Sequence, residues 1–290
     1  MHCPLRPASF RLLTPLLFAA LALAGCDGPP WTPDDVIDYK KGLSLYLFRP
    51  VEAPVPTGWP VVLFFHGGGW QYGTAEQFFP QCAELSKLGY LCISAAYRVR
   101  SRDGTGMEEA VADAREAFTF LLAHARSLRA DPERIVLGGG SAGGHLALAT
   151  AMAARDNGTP ARGLLLFNPV VDLSPGTPDH VPAGSAWQAY SPLHQLAPGL
   201  PPMLILQGSE DREVDPATAA RYCERVRETG TGCQIAWYPG ERHGFFNYSR
   251  SRYRFFDTLW ETLGFLDAIG VGGDIGAPRR LLRLIAPRSV

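Results

Sequence analysis

"IVLGGGSAGGHLALA", residues 135–149, sets five glycines around one serine between an apolar run and an alanine-rich stretch. Two readings fit it. Gly138, Gly140 and Gly143 stand at G-x-G-x-x-G spacing, which after a strand and before a helix cradles a dinucleotide pyrophosphate on the helix N-terminus. Gly139, Ser141 and Gly143 stand at G-x-S-x-G spacing, a strand-to-helix turn that lifts Ser141 out as a nucleophile. The surrounding sequence decides between them.

A dinucleotide site places its glycine turn in the first β-α unit, with an acidic residue about 20 positions on to hold the ribose. Here the turn follows several strand signals, and the next apolar run, Gly163 to Phe167, leads into Asn168 rather than an acid. The serine reading, in contrast, finds partners. "FFHGGGW" at 64–70 supplies consecutive glycines whose N–H groups can approach an oxyanion without a side chain in the way. "LILQGSEDREVDP" places acids just after a late strand, and "GERHGFF" at 240–246 places a histidine in the turn after the next one. Ser, Asp, His is the chain order of a hydrolase of this kind.

Serine needs such partners because its hydroxyl is a weak nucleophile until a base takes the proton. His243 is the expected base, and Asp211 would fix its tautomer and stabilise its charged form, with Asp215 the alternative in the same acidic loop. The N–H groups of Gly68, Gly69 and Ala142 are the expected oxyanion donors, aided by the positive end of the helix that begins at Ser141. His66 is expected to anchor the glycine loop and His145 to support the nucleophile helix, whereas His124, His180 and His194 read as solvated. No Cys and His spacing forms a metal cage, so neither metal nor cofactor is expected.

Strand signals at Leu43–Phe48, Val61–Phe65, Tyr90–Ala95, Arg134–Leu137, Gly163–Phe167, Met203–Gln207 and Gln234–Tyr238 alternate with helical ones. The helices are expected at Ala83–Leu88, Met107–Arg126, Ser141–Ala154, Ala217–Glu228 and Tyr253–Ile269. This alternation predicts an α/β fold, a mainly parallel sheet with helices on both faces and ligand sites beyond the carboxyl ends of the strands. Residues 170–201, rich in Pro, Gly and Ser, are either a lid or a mobile surface loop, and Trp187 and Tyr190 are candidates to line an acyl or sugar pocket.

From about Tyr39 to Ile269 the chain resembles the α/β-hydrolase superfamily, chiefly its small carboxylesterases and feruloyl or acetyl-xylan esterases. The resemblance rests on His66-Gly67-Gly68-Gly69-Trp70, on Gly139 to His145, on the Gly208, Asp211, Val214 spacing and on His243-Gly244-Phe245. It implies cleavage of short-chain carboxylic esters through an acyl-serine. It departs from the hormone-sensitive-lipase pattern, which prefers Asp where this chain has Gly140. Kynurenine formamidases share the H-G-G-x-W turn and serine elbow, which leaves amide hydrolysis as an alternative. A non-catalytic binding protein on the same fold is a second one.

Arg6 and Arg11 precede the apolar run Leu12 to Leu23, about 12 residues and too short to span a bilayer as a helix. Followed by Leu23-Ala24-Gly25-Cys26, it resembles a bacterial lipoprotein signal, cut at 1–25 so that Cys26 carries the lipid. The remaining divisions are a linker at 26–33, a catalytic domain at 34–270 and a flexible tail at 271–290. The expected location is the cell envelope, facing the extracytoplasmic space, with Asp27 favouring the inner membrane. With 27 basic and 28 acidic residues and no long basic run, the chain lacks the electrostatic footprint of a nucleic-acid binder.

Cysteine spacing adds two expected disulfides, Cys82–Cys92 and Cys223–Cys233, with free buried thiols as the alternative. In each pair the first Cys lies seven residues before a glycine and the second three after it. Seven helical residues rise about 10.5 Å and three strand residues about 10 Å, so a reversal at the glycine brings the two level.

Overall fold

Four apolar runs, Trp59–Phe65 (β3), Leu91–Ala95 (β4), Gly163–Phe167 (β6) and Met203–Gly208 (β7), are buried at every residue, as strands covered on both faces must be. With Asp35–Lys40 (β1), Leu43–Phe48 (β2), Ala130–Gly140 (β5) and Cys233–Tyr238 (β8) they form one sheet in the order β1-β2-β4-β3-β5-β6-β7-β8. β2 runs antiparallel to both neighbours, and every other pair is parallel. The structure is a computed structural model that describes residues 31–159, 161–179 and 184–272. The segment read as a signal peptide, Cys26 and Asp27, His180 and residues 273–290 of the expected tail lie outside the described residues. A compact unit begins at Pro33.

The five main helices are Phe79–Ser86 (α1), Met107–Ala123 (α2), Ala142–Asp156 (α3), Pro216–Glu228 (α4) and Arg252–Ala268 (α5). Alternate residues of β3 show how they cover the sheet. Val61, Leu63 and Phe65 join a core with Phe118 of α2, Leu146 of α3 and Tyr222 of α4. Phe64 points the other way, stacks on Phe78 at 4.4 Å and meets Phe167 edge-on at 6.2 Å.

Several boundaries differ from the sequence reading, each for a local reason. α1 begins at Phe79 rather than Ala83 because Pro80 sits in its first turn, where its missing N–H costs nothing. The helix expected over Met107–Arg126 stops at Ala123, and a separate turn, Ala125–Leu128, follows. β5 runs on through Gly140 instead of ending at Leu137. Gly138 belongs in that strand because a Cβ there would lie 2.6 Å from the Phe64 ring.

Both cysteine pairs are joined, Cys82 of α1 to Cys92 of β4 and Cys223 of α4 to Cys233 of β8, with Cα separations of 4.9 and 5.5 Å. The chain reverses through left-handed glycines, Gly89 at φ 86° and Gly230 at φ 83°.

Candidate active site

Ser141 occupies the junction of β5 and α3 with φ 55° and ψ −120°, a backbone state that costs a side-chain-bearing residue about 1–3 kcal/mol. Its surroundings hold it there. The Ser141 N–H donates to the Phe167 carbonyl at 2.9 Å, and its own carbonyl accepts from His145 and Val170 at 3.1 and 3.2 Å. A Cβ on Gly139 would strike the Gly143 backbone, and one on Gly143 would strike the Phe65 and His66 carbonyls. The two glycines of the motif therefore let strand, turn and neighbouring loop meet backbone to backbone. Gly140 has a different reason: the Phe246 ring lies 2.5 Å from where its Cβ would stand.

His243 and Asp211 come from loops after β8 and β7 that are stitched to each other. Glu210 donates its N–H to the Glu241 carbonyl at 2.9 Å, and Gly240 donates to Ser209 Oγ at 2.9 Å. This places His243 Nδ1 2.8 Å from Asp211 Oδ2. With Nδ1–H donating to the carboxylate, Nε2 keeps its lone pair and can act as a base. The Asp211 carboxylate also accepts the N–H groups of Glu213 (2.9 Å) and Val214 (3.0 Å) and the Gln207 amide (3.2 Å). Burial pushes this carboxyl up, but the hydrogen bond with His243 and the two backbone donors outweigh burial and hold it below the ordinary carboxylate range. Asp215, the alternative acid, instead caps α4 by accepting the Ala217 N–H at 2.9 Å.

One cavity of about 620 Å³ is lined by both Ser141 and His243, and also by Gly67, Gly68 and Gly69. Gly68 and Gly69 have φ of 116° and 61°, and the Gly68 carbonyl accepts from both Gln71 and Tyr72 at 3.0 Å, which closes the loop into a turn. The Gly67 N–H is taken by Gln77 Oε1 at 2.6 Å, which leaves the N–H groups of Gly68 and Gly69 as the loop's candidate donors. Ala142 is buried at the first position of α3, where its N–H is one of the donors that a helix start leaves without an internal partner.

The other histidines divide as their surroundings dictate. His66 is buried, stacks on Tyr97 with 4.0 Å between ring centroids and holds the Gly67 carbonyl at 2.7 Å through Nδ1. Burial pushes its imidazole down to about 4, so it stays neutral and serves as an anchor. His145, also pushed down to about 4 by burial, meets the Tyr190 carbonyl at 2.8 Å and packs edge-on against Trp70. His124 and His194 are exposed.

The segment after β6 is pinned where it is described. The Leu193 N–H donates to the Val171 carbonyl at 2.8 Å, Arg221 bonds the buried Asp172 at 2.7 Å, and His145 holds Tyr190. Trp187 and Tyr190, the candidate pocket residues, pack against the core, and Tyr190 borders a separate cavity of about 330 Å³ beside Met152 and Arg155. Among the described residues of this segment, Pro178 and Asp179 line the Ser141 cavity.

Sequence reasoning also passed over Asn168. Its side-chain oxygen accepts the Gly244 N–H at 3.1 Å, and its nitrogen lies 3.4 Å from His243 Nε2, so it braces the histidine loop from the end of β6. It directly follows the buried strand beside the serine turn and has φ 38°, but no pattern in its own segment marks the role.

Residues 62–188 match the α/β hydrolase fold family. The ethyl acetate hydrolase of Pseudomonas putida is 27% identical over 254 residues, covering 78% of this chain and 79% of that enzyme. Among solved structures, propionate-bound esterase 2 of Thermogutta terrifontis is 35% identical with a TM-score of 0.78, over 86% of this chain and 98% of the other. The same esterase phosphonylated by sarin is 34% identical with a TM-score of 0.76, over 82% and 95% of the two chains. With this coverage and the fold described above, the chain belongs to the α/β-hydrolase family and is a carboxylic ester hydrolase.

Proposed function

We propose that Ser141, His243 and Asp211 are the catalytic triad of an esterase that works through an acyl-serine. The observation that carries this reading is the His243–Asp211 hydrogen bond at the wall of the cavity that Ser141 also lines. Ser141 Oγ attacks the ester carbonyl carbon while His243 Nε2 takes its proton. The N–H groups of Gly68, Gly69 and Ala142 meet the negative charge that develops on the carbonyl oxygen. Collapse of this intermediate expels the alcohol, to which His243 returns the proton. Water then attacks the acyl-serine by the same route and releases the acid.

The acyl group in this reading is short, most simply acetyl on a sugar or small alcohol. The Pseudomonas relative is named for ethyl acetate and the Thermogutta neighbour holds propionate, both short acyl groups. Between Phe167 at the end of β6 and Met203 at the start of β7 lie only about 35 residues, which leaves little chain for a large apolar cap around a long lipid tail. In a series of 4-nitrophenyl esters, kcat/KM is expected to fall steeply beyond butyryl or hexanoyl. A preference for decanoyl or longer chains would overturn the short-acyl reading, and faster cleavage of N-formylkynurenine than of any acetate would favour the amidase.

We also propose that the protein is held in the cell envelope through a lipid on Cys26. Two or more acyl chains anchor a protein far more firmly than one. Cys26→Ala is expected to release the protein or leave its precursor uncut, and unchanged processing and membrane fractionation would rule out the anchor.

A further inference from the structure

The cavity around Ser141 carries charges of both signs. Asp179 and Glu213 line it, and so do Arg212 and Arg250, together with the amides of Gln77 and Asn247. A cationic substrate would meet two guanidinium groups there, and an anionic one two carboxyls. A neutral molecule bearing several hydroxyls suits such a lining, because each hydroxyl both donates and accepts.

Asp179 differs from the other charged groups in this lining by its burial: Arg212, Glu213 and Arg250 are exposed, whereas Asp179 is partly buried. Gln77 and Asn247 are bonded to each other at 3.1 Å, whereas Asp179 takes part in no hydrogen bond or ion pair among the described residues. Leaving a partly buried carboxyl without a partner is unfavourable, and a donor on a bound molecule relieves it. We propose that Asp179 is a specificity-determining residue, which accepts a hydrogen bond from a hydroxyl on the alcohol part of a polyhydroxylated ester bound at Ser141. The proposal rests on the esterase reading of Ser141 and adds to it the class of alcohol and the residue that selects it.

The same environment makes the selection depend on pH. Burial pushes the Asp179 carboxyl up to about 6, with the positive form of His243 opposing and the Glu213 carboxylate adding to the rise. Arg212 and Arg250 are the other charged groups on the cavity wall. Asp179 is therefore neutral at pH 5 and ionised above pH 7, and the ionised form is the stronger acceptor. Preference for a hydroxylated ester should rise across that interval. The rate on any ester carries a pH dependence of its own, but a ratio of two esters measured at the same pH cancels what they share.

The test compares a methyl glucoside acetate, ethyl acetate and acetylcholine, with acetate release followed from pH 5 to pH 8. For the wild-type enzyme the ratio of kcat/KM on the sugar acetate to that on ethyl acetate is expected to rise by up to about tenfold between pH 5 and pH 7. Asp179→Asn is expected to lower the ratio at pH 7 by about tenfold and flatten its pH dependence, and Asp179→Glu to restore part of both. A ratio that is the same in wild type and Asp179→Asn across the range overturns the proposal while leaving the esterase reading intact. Acetylcholine as the best substrate, lost in Asp179→Asn, also overturns it, because the carboxyl would then serve a cation. A wild-type enzyme that hydrolyses none of the three esters overturns the esterase reading and the proposal together.

Discussion

Ser141→Ala is expected to lower kcat on a short acetyl ester by roughly 10⁴- to 10⁶-fold, and His243→Ala by a similar amount. The double variant should be little worse than either single one, since the two groups act in one proton transfer and removing the first already disables the second. Neither change should unfold the protein. Ser141 owes its position to backbone hydrogen bonds with Phe167, His145 and Val170, which alanine keeps. A fluorophosphonate probe separates a catalytic loss from a folding loss: the wild type should label at Ser141 and Ser141→Ala should not. Wild-type turnover in Ser141→Ala, with its fold intact by circular dichroism, would show that the nucleophile lies elsewhere.

Asp211→Asn should cost somewhat less, about 10⁴-fold in kcat, because the amide can hold the imidazole in the wrong tautomer and carries no charge to balance the imidazolium. The bonds that Asp211 makes explain why it cannot be spared. It accepts from His243, Gln207, Glu213 and Val214, so its charge is fixed in place before a substrate arrives. Its low pKa keeps it ionised through the range in which a histidine ordinarily titrates. Asp215→Asn should stay within a few-fold of wild type, because Asn is as good a helix cap as Asp. Parallel kinetics on the two variants decide the matter, and a large loss confined to Asp215→Asn would reverse the assignment.

The parts of this architecture that were legible in the sequence are those with a local cause. Buried central strands write themselves as unbroken apolar runs, and the glycines of the serine turn are forced by backbone contact, so both could be read from composition and spacing. β1 left little trace because it is an edge strand with half of its residues exposed and only one buried, and alternation of apolar and polar residues fades there. Asn168 and Asp179 were missed for another reason. Each gains its role from a partner 34 to 76 positions away, namely Glu213 and His243 for Asp179 and the His243-Gly244 turn for Asn168, and no pattern within either segment announces it. The aromatics Trp187 and Tyr190 are a different case: neither is among the described residues that line the Ser141 cavity, although Tyr190 borders another cavity. Their composition suggests a pocket wall, but the hydrogen bond from His145 to the Tyr190 carbonyl ties that turn to the nucleophile helix instead.

The ring of Phe246 beneath Gly140 joins two segments a hundred positions apart into a single steric unit. The ring also stacks on Phe78 and meets Phe167 at a tilt, so it has little freedom to step aside. Any side chain entering at 140 must therefore displace the residue that follows the histidine by three. In evolutionary terms these two sites are complementary in size. A lineage that acquires the aspartate of the hormone-sensitive-lipase pattern before its serine therefore needs a smaller residue or a displaced ring at the position of Phe246.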